Sequence, residues 1–114
     1  MAKYKNLIVW QKANELALKI YKLTEDFPKK ETFGIVSQIR RAALSVPTNI
    51  VEGYGRKTKV ELSRFIDMAR GSLAETEYLL EFSKELGYIK TDISEIRSLI
   101  EEVSKLLWNF QKGL

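Results

Sequence analysis

The residues of this chain that offer chemistry are cations and carboxylates; the two side chains that enzymes use most often are missing. Among 114 residues there is no histidine and no cysteine. The first absence removes the commonest general base and metal ligand. The second rules out disulfides, thiol nucleophiles and cysteine metal sites. Ser45 and Ser72 have only lysines or carboxylates as potential bases, and neither sits in a Gly-x-Ser-x-Gly elbow. Gly53-Tyr54-Gly55-Arg56-Lys57 combines two glycines with two cations, as a phosphate loop would. It lacks the Gly-x-x-x-x-Gly-Lys-Ser/Thr pattern and follows no strand signal, so nucleotide hydrolysis is not expected. Glu75, Glu77, Glu81 and Glu85 are raw material for a dinuclear metal centre. Such centres in helical bundles use Glu-x-x-His pairs, which cannot form here, and helical spacing turns these glutamates mostly to solvent. The expectation is a protein that is not an enzyme and needs no cofactor or metal.

What remains is contact with a polyanion. The net charge is +4, unevenly placed: residues 1–58 carry eleven Lys/Arg against five Asp/Glu, and residues 59–114 carry eight against ten. A basic half raises the odds of a nucleic-acid partner, whereas a mixed surface can also merely solvate a fold. The cations singled out are Arg40, Arg56, Lys57, Lys59 and Arg64, three of them clustered around Lys57. Arginine forks and lysine point charges bind phosphate oxygens without reading bases. Tyr54 adds an aromatic face for an unpaired base.

Helices must position these groups. From Asn6 to Asp26, Val9, Trp10, Ala13, Leu16, Ala17, Ile20, Tyr21 and Leu23 repeat at three-and-four spacing with no Gly or Pro between them. Phe27-Pro28 ends that helix, because proline restricts the residue before it and donates no amide hydrogen. A second helix begins near Phe33 or Gly34, with core row Ile35, Ile39, Ala42, Val46 and Ile50. Gly53 and Gly55 are expected to stop it by admitting left-handed backbone. Thr58-Lys59-Val60-Glu61 is a capping box for a third helix of about 28 residues, or about 42 Å, that overhangs its neighbours. Its core row is Leu62, Phe65, Ile66, Ala69, Leu73, Thr76 and Leu80, and Gly87 ends it. Thr91 is expected to cap a fourth helix that buries Ile96, Leu99, Ile100, Val103, Leu106, Leu107 and Phe110. No strand pattern or internal repeat is present. Short connections between four helices imply an all-α, antiparallel, up-and-down four-helix bundle spanning residues 1–114 as one domain.

The second helix carries more than one surface. Beside its core row runs a second row, Val36, Arg40, Leu44, Pro47 and Val51, about 100° or more round the axis. Val36, Leu44 and Val51 are read as an oligomer interface, joined by Gly71, a thin spot in the third helix flanked by Ser72 and Ala74. Pro47 is expected to kink the helix, with Ser45 or Thr48 satisfying a freed carbonyl. On the other flank lies a polar row of Gln38, Arg41, Ser45, Asn49 and Glu52. Arg41, Asn49 and Glu52 are read as a partly buried network fixing register or a subunit contact, in preference to a ligand site. The apolar run Leu7 to Trp10 after Lys3 and Lys5 is too short for a secretory leader, and no stretch approaches the ~18 apolar residues of a membrane span. A cytoplasmic protein with no membrane partner is expected.

Several motifs together resemble a known family. They are Leu7-x-x-Trp10-Gln11-x-Ala13, Tyr21-x-x-Thr24-x-x-Phe27-Pro28-x-x-Glu31, Gln38-x-Arg40-Arg41-Ala42, Ser45-Val46-Pro47-x-Asn49-Ile50-x-Glu52-Gly53 and Ala69-Arg70-Gly71-Ser72-Leu73-x-Glu75. From about Tyr4 to Leu106 the chain resembles the bacterial four helix bundle proteins encoded within intervening sequences of large-subunit rRNA genes, often labelled S23 ribosomal proteins. That family is similar in turn to the accessory variability protein of diversity-generating retroelements. The resemblance implies a homopentamer arranged as a barrel round a central channel. Through the retroelement relatives it implies nucleic-acid binding by basic residues and a reverse transcriptase partner. Carried onto this chain, it points to Arg40, Arg41, Arg56 and Lys57 for polyanion contact and to Asn49 and Glu52 for structure or assembly. A scaffold that binds protein, with incidental cations, is the alternative.

Overall fold

A computed structural model describes residues 3–114. It contains α1 (Ile8–Leu23), α2 (Ile35–Tyr54), α3 (Lys59–Glu85) and α4 (Ser94–Lys112), with single 3-10 turns at Lys3–Asn6, Thr24–Asp26 and Lys29–Glu31. No strand is present among the described residues. The helices alternate in direction and pack as neighbours α1–α2–α3–α4, with α4 closing back onto α1. This is the expected antiparallel bundle. At about 1.5 Å per residue α3 is about 40 Å long, close to the molecule's longest dimension of 43 Å.

One stripe of each helix makes the core. Leu16 and Ile20 of α1, Ile39, Val46 and Ile50 of α2, Ile66 and Leu80 of α3, and Val103 and Leu107 of α4 have no accessible surface. Each such side chain contributes about 1.5–3 kcal/mol relative to exposure. Thr76 and Ser83 lie in the same interior and donate back to Ser72 O at 2.8 Å and Leu79 O at 2.7 Å. Their hydroxyls are thereby satisfied without a cross-helix partner.

Local signals set most helix ends. The Thr58 hydroxyl accepts the Glu61 amide at 3.1 Å, as the capping box requires. The fourth helix starts differently from expectation: Asp92, not Thr91, accepts the Ser94 amide at 3.0 Å and the Ser94 hydroxyl at 2.9 Å. A carboxylate also suits the positive end of the helix. The first helix ends at Leu23, and Thr24–Asp26 tightens into a 3-10 turn before Phe27.

The second helix runs unbroken from Ile35 to Tyr54 through Pro47. The Thr48 hydroxyl donates to Leu44 O at 2.7 Å and the Asn49 amide to Ser45 O at 2.8 Å, flanking the position that lacks an amide hydrogen. Gly53 and Gly55 do not stop α2 through left-handed backbone; Gly87 is the glycine with positive φ, at 80°. Gly53 is buried inside the helix, where a Cβ would stand 2.7 Å from Phe65 Cβ and 2.9 Å from Leu62 Cδ1. Its role is to let α2 and α3 approach closely just before their turn. Gly71 is the reverse case, because a Cβ there would meet nothing within 4 Å.

At the opposite end of the bundle the two long connections are tied together. The Tyr88 hydroxyl donates to Glu31 Oε2 at 2.7 Å, and the Ile35 amide donates to Glu31 Oε1 at 3.3 Å. The Tyr88 bond first, and the amide second, hold the Glu31 carboxyl below its ordinary 4.5. A lowered carboxylate stabilises the fold above its unfolded pKa, and that contribution is lost as pH falls through the folded value.

These contacts set two expectations for variants. Gly53→Ala should destabilise by about 1–3 kcal/mol through overpacking, while Gly71→Ala should stabilise by up to about 1 kcal/mol through helix propensity, both read by urea denaturation. In Tyr88→Phe, thermal melts should show a shallower loss of stability between pH 4.5 and lower pH than in the parent.

Candidate nucleic-acid interface

The antiparallel layout gathers four chain segments at one end of the bundle: the first turn of the chain, the exit of α2, the start of α3 and the exit of α4. The 3-10 turn Lys3–Asn6 packs against both α1 and α2 there. That end carries Lys3, Lys5, Arg56, Lys57, Lys59, Arg64 and Lys112 against Glu52, Glu61 and Asp67. None of these seven cations makes an ion pair among the described residues. Glu61 is occupied by the cap, where its carboxylate receives the Thr58 hydroxyl at 3.1 Å. The amino ends of α1 and α3 and the carboxyl ends of α2 and α4 meet here, so the helix dipoles largely offset one another and the side-chain cations set the sign.

Two aromatic rings lie among these cations. The Arg56 guanidinium sits 4.7 Å from the centre of the Phe65 ring. Stacking of this kind fixes the plane of the fork while leaving its edge open to solvent. Tyr54 is exposed at the last position of α2. An unpaired base or a phosphate could meet cations and a ring here within one turn of chain.

The structure distributes the expected binding residues over three places. Arg56, Lys57, Lys59 and Arg64 belong to the basic end. Arg41 lies about 20 Å further up α2, exposed beside a groove between α2 and α3 of about 430 Å³. That groove is lined by Phe33, Gln38, Arg41, Ser45, Ser72 and Glu75, among others. Arg40 is used inside the fold. Its Nε donates to Thr24 Oγ1 at 2.8 Å, an Nη to Tyr21 O at 3.0 Å, and its guanidinium lies 4.8 Å from the centre of the Tyr21 ring. Three interactions bind it to the carboxyl end of α1, where it shares the Tyr21 carbonyl with the Thr24 hydroxyl.

The polar row of α2 also resolves differently from expectation. Asn49 donates to Ser45 O and to Ser45 Oγ at 2.9 Å, and Ser72 Oγ of α3 donates to Ser45 Oγ at 3.0 Å. The network is thus Ser45, Asn49 and Ser72. Glu52 and Arg41 are exposed and make no hydrogen bond or ion pair among the described residues, although Arg41 borders the groove between α2 and α3.

The expected oligomer interface divides in the same way. Val36 is buried inside its own bundle, since its angle falls on the edge of the core stripe facing α1. Leu44 is 47% exposed and Val51 half-buried on that flank. Nearby on α1 stand Leu18, 64% exposed, and Tyr21. Gly71 lies on the outer face of α3 instead.

Lys3, Lys5 and Lys112 were missed as candidate binding residues. The positive start of the chain is visible in the sequence, but only the topology brings it beside the α2–α3 turn. A further polar cluster, where the Gln111 amide donates to Asp67 Oδ1 at 2.7 Å and to Ser63, ties α4 to α3. Arg70 joins it through Gln111 Oε1 at 3.2 Å.

If Arg40 acts within the fold, Arg40→Met should destabilise by about 1.5–3 kcal/mol, the range for hydrogen bonds from a charged group. Arg41→Met should be within about 0.5 kcal/mol of the parent. Urea denaturation of the two variants distinguishes them.

A family model described as 23S rRNA-intervening sequence protein matches residues 5–109. Among solved structures, the chain is similar to a crystal structure from Bacteroides thetaiotaomicron, a protein of unknown function from the S23 ribosomal protein family. The two share 28% identity with a TM-score of 0.81, over 92% of this chain and 99% of the other. No curated protein matches the chain.

Proposed function

The chain belongs to the 23S rRNA-intervening sequence protein family, and we propose that it is a non-enzymatic, self-associating bundle that binds RNA or DNA without base specificity. The observation that carries this reading is the basic end. Seven cations free of ion pairs among the described residues face three carboxylates there, Glu61 engaged by a cap and Asp67 by the Gln111 amide. Backbone phosphates are the natural complement of such a surface, and stacking on Tyr54 would favour unpaired segments.

Self-association rests on the flank between α1 and α2. Leu18, Tyr21, Leu44 and Val51 leave apolar surface uncovered on adjacent helices of one molecule. Assembly would repeat the basic end several times, so that modest contacts add through effective concentration. The pentameric number is taken from the family resemblance. A protein-binding scaffold is the second reading. It is favoured by Phe33, 96% exposed at the mouth of the groove that also holds Arg41 and Glu75.

Nucleic-acid binding measured by filter retention should fall steeply between low and moderate salt. The pair Arg56→Glu, Lys57→Glu should lower affinity about 10-fold or more for all sequences alike and flatten the salt slope. If micromolar protein retains no RNA or DNA at low salt, the scaffold reading takes over. Leu44→Glu should keep the helical circular dichroism while reducing the mass seen by light scattering; an unchanged mass removes the α1–α2 flank as the assembly face.

A further inference from the structure

The outward face of α3 holds a second apolar row, opposite its core stripe. Val60, Met68, Tyr78, Phe82 and Leu86 are all exposed, Val60 by 72% and Tyr78 by 65%. With Arg64, Gly71 and Glu75 they follow one another at steps of three or four, within about 40° of one direction at 100° per residue. Leu86 is the residue just beyond the helix; the rest lie within it. A row of this length is unusual on a helix that already buries Ile66, Ala69, Leu73, Thr76 and Leu80 on its other side.

The row is also symmetric about its own centre. Turned end for end around Leu73, Val60 falls opposite Leu86, Arg64 opposite Phe82, Met68 opposite Tyr78, and Gly71 opposite Glu75. Each match is chemically sensible. Val60 and Leu86 are aliphatic. Arg64 makes no ion pair among the described residues and would lie over the face of Phe82. Met68 would set its sulfur against the Tyr78 ring. Gly71 has nothing within 4 Å of where a Cβ would be, which lets a second backbone come close at the centre. Glu75 lines the same groove as Arg41 of its own subunit, a cation that offsets the two carboxylates brought near the axis.

We propose that the outer face of α3 binds a second copy of itself, antiparallel and two-fold symmetric, in the register that places Met68 opposite Tyr78. A two-fold contact uses one patch twice and therefore requires self-complementarity of this kind. The strip is about 40 Å long and about 10 Å wide, on the order of 400 Å² per copy, against about 800 Å² in a standard interface. The pairing is accordingly weak between single subunits and gains strength when several are held together. It uses a different face from Leu44 and Val51, so it goes beyond the assembly proposed above.

The chain has no cysteine of its own, which permits a direct test. Met68→Cys and Tyr78→Cys proteins, both checked for native circular dichroism, are oxidised mildly at high concentration, separately and as an equal mixture. In the proposed register the thiol introduced at position 68 of one copy and that introduced at position 78 of the other come within disulfide reach. Two copies of position 68 are instead about 15 Å apart along the axis. The mixture should give a disulfide-linked dimer in at least 10-fold excess over either protein alone. Absence of that dimer in the mixture overturns the proposal, and so does equally efficient self-linkage of Met68→Cys, which marks a parallel or different contact. Nucleic-acid retention measured on the same proteins reports on the basic end, so failure of one reading leaves the other standing.

Discussion

A four-helix bundle can hide one stripe of each helix, and this chain has more apolar surface than four stripes. The interior is complete: Ile39, Val46, Ile50, Ile66, Leu80 and Val103 have no accessible surface. Yet Leu18 and Leu44 remain on one flank and Val60, Tyr78 and Phe82 on another. Geometry forbids bringing both sets inside, because residues on opposite sides of α3 cannot face the same core. The close approach at Gly53 sharpens this division. By holding α2 against Leu62 and Phe65 of α3, it commits the inner side of α3 and leaves the whole outer side to solvent or to a neighbour.

Polar contacts then tie adjacent helices without entering the interior. Lys19 meets Glu95 at 2.6 Å between α1 and α4, and Arg97 forks onto Glu81 at 2.8 and 2.7 Å between α4 and α3. Ser45 and Ser72 join α2 to α3, and Arg40 joins α2 to α1. The exposed ion pairs are individually worth about 0–1 kcal/mol, so their main effect is on register. They also sort the charges. Arg40, Arg70 and Arg97 are engaged by carboxylates or carbonyls along the sides, while seven cations without an ion pair among the described residues lie at the end where α2 turns into α3, and others, such as Lys29 and Lys30, lie at the far end. No described helix is long and apolar enough to cross a membrane.

The helices and their order were readable in the residues, since core periodicity and the Thr58 capping box depend only on neighbours in the chain. What could not be read depends on which helix lies alongside. Arg40 and Leu44 share one row of α2, but only Arg40 meets the carbonyl of Tyr21 and the hydroxyl of Thr24. Val36 shares that row too and is buried, because its angle lies nearer the core stripe. Gly53 has the identity of a helix terminator and the function of a contact point, a distinction that requires Phe65 opposite it. Of the basic site, Arg56 and Lys57 were visible as a cluster. Lys3, Lys5 and Lys112 were not, because they are distant in sequence and meet only at a bundle end. The symmetry of the α3 row is written in its residue numbers but has meaning only once that face is known to point outward.

The surplus of apolar surface is the claim on which assembly, and the concentration of positive charge by assembly, both depend. Sedimentation equilibrium of the natural chain over a range of concentrations tests it most directly. The account predicts a mass that is a multiple of the 13.2 kDa subunit and that rises with concentration. A stable single-subunit mass at the highest concentration, in a protein with native helical content, would contradict it.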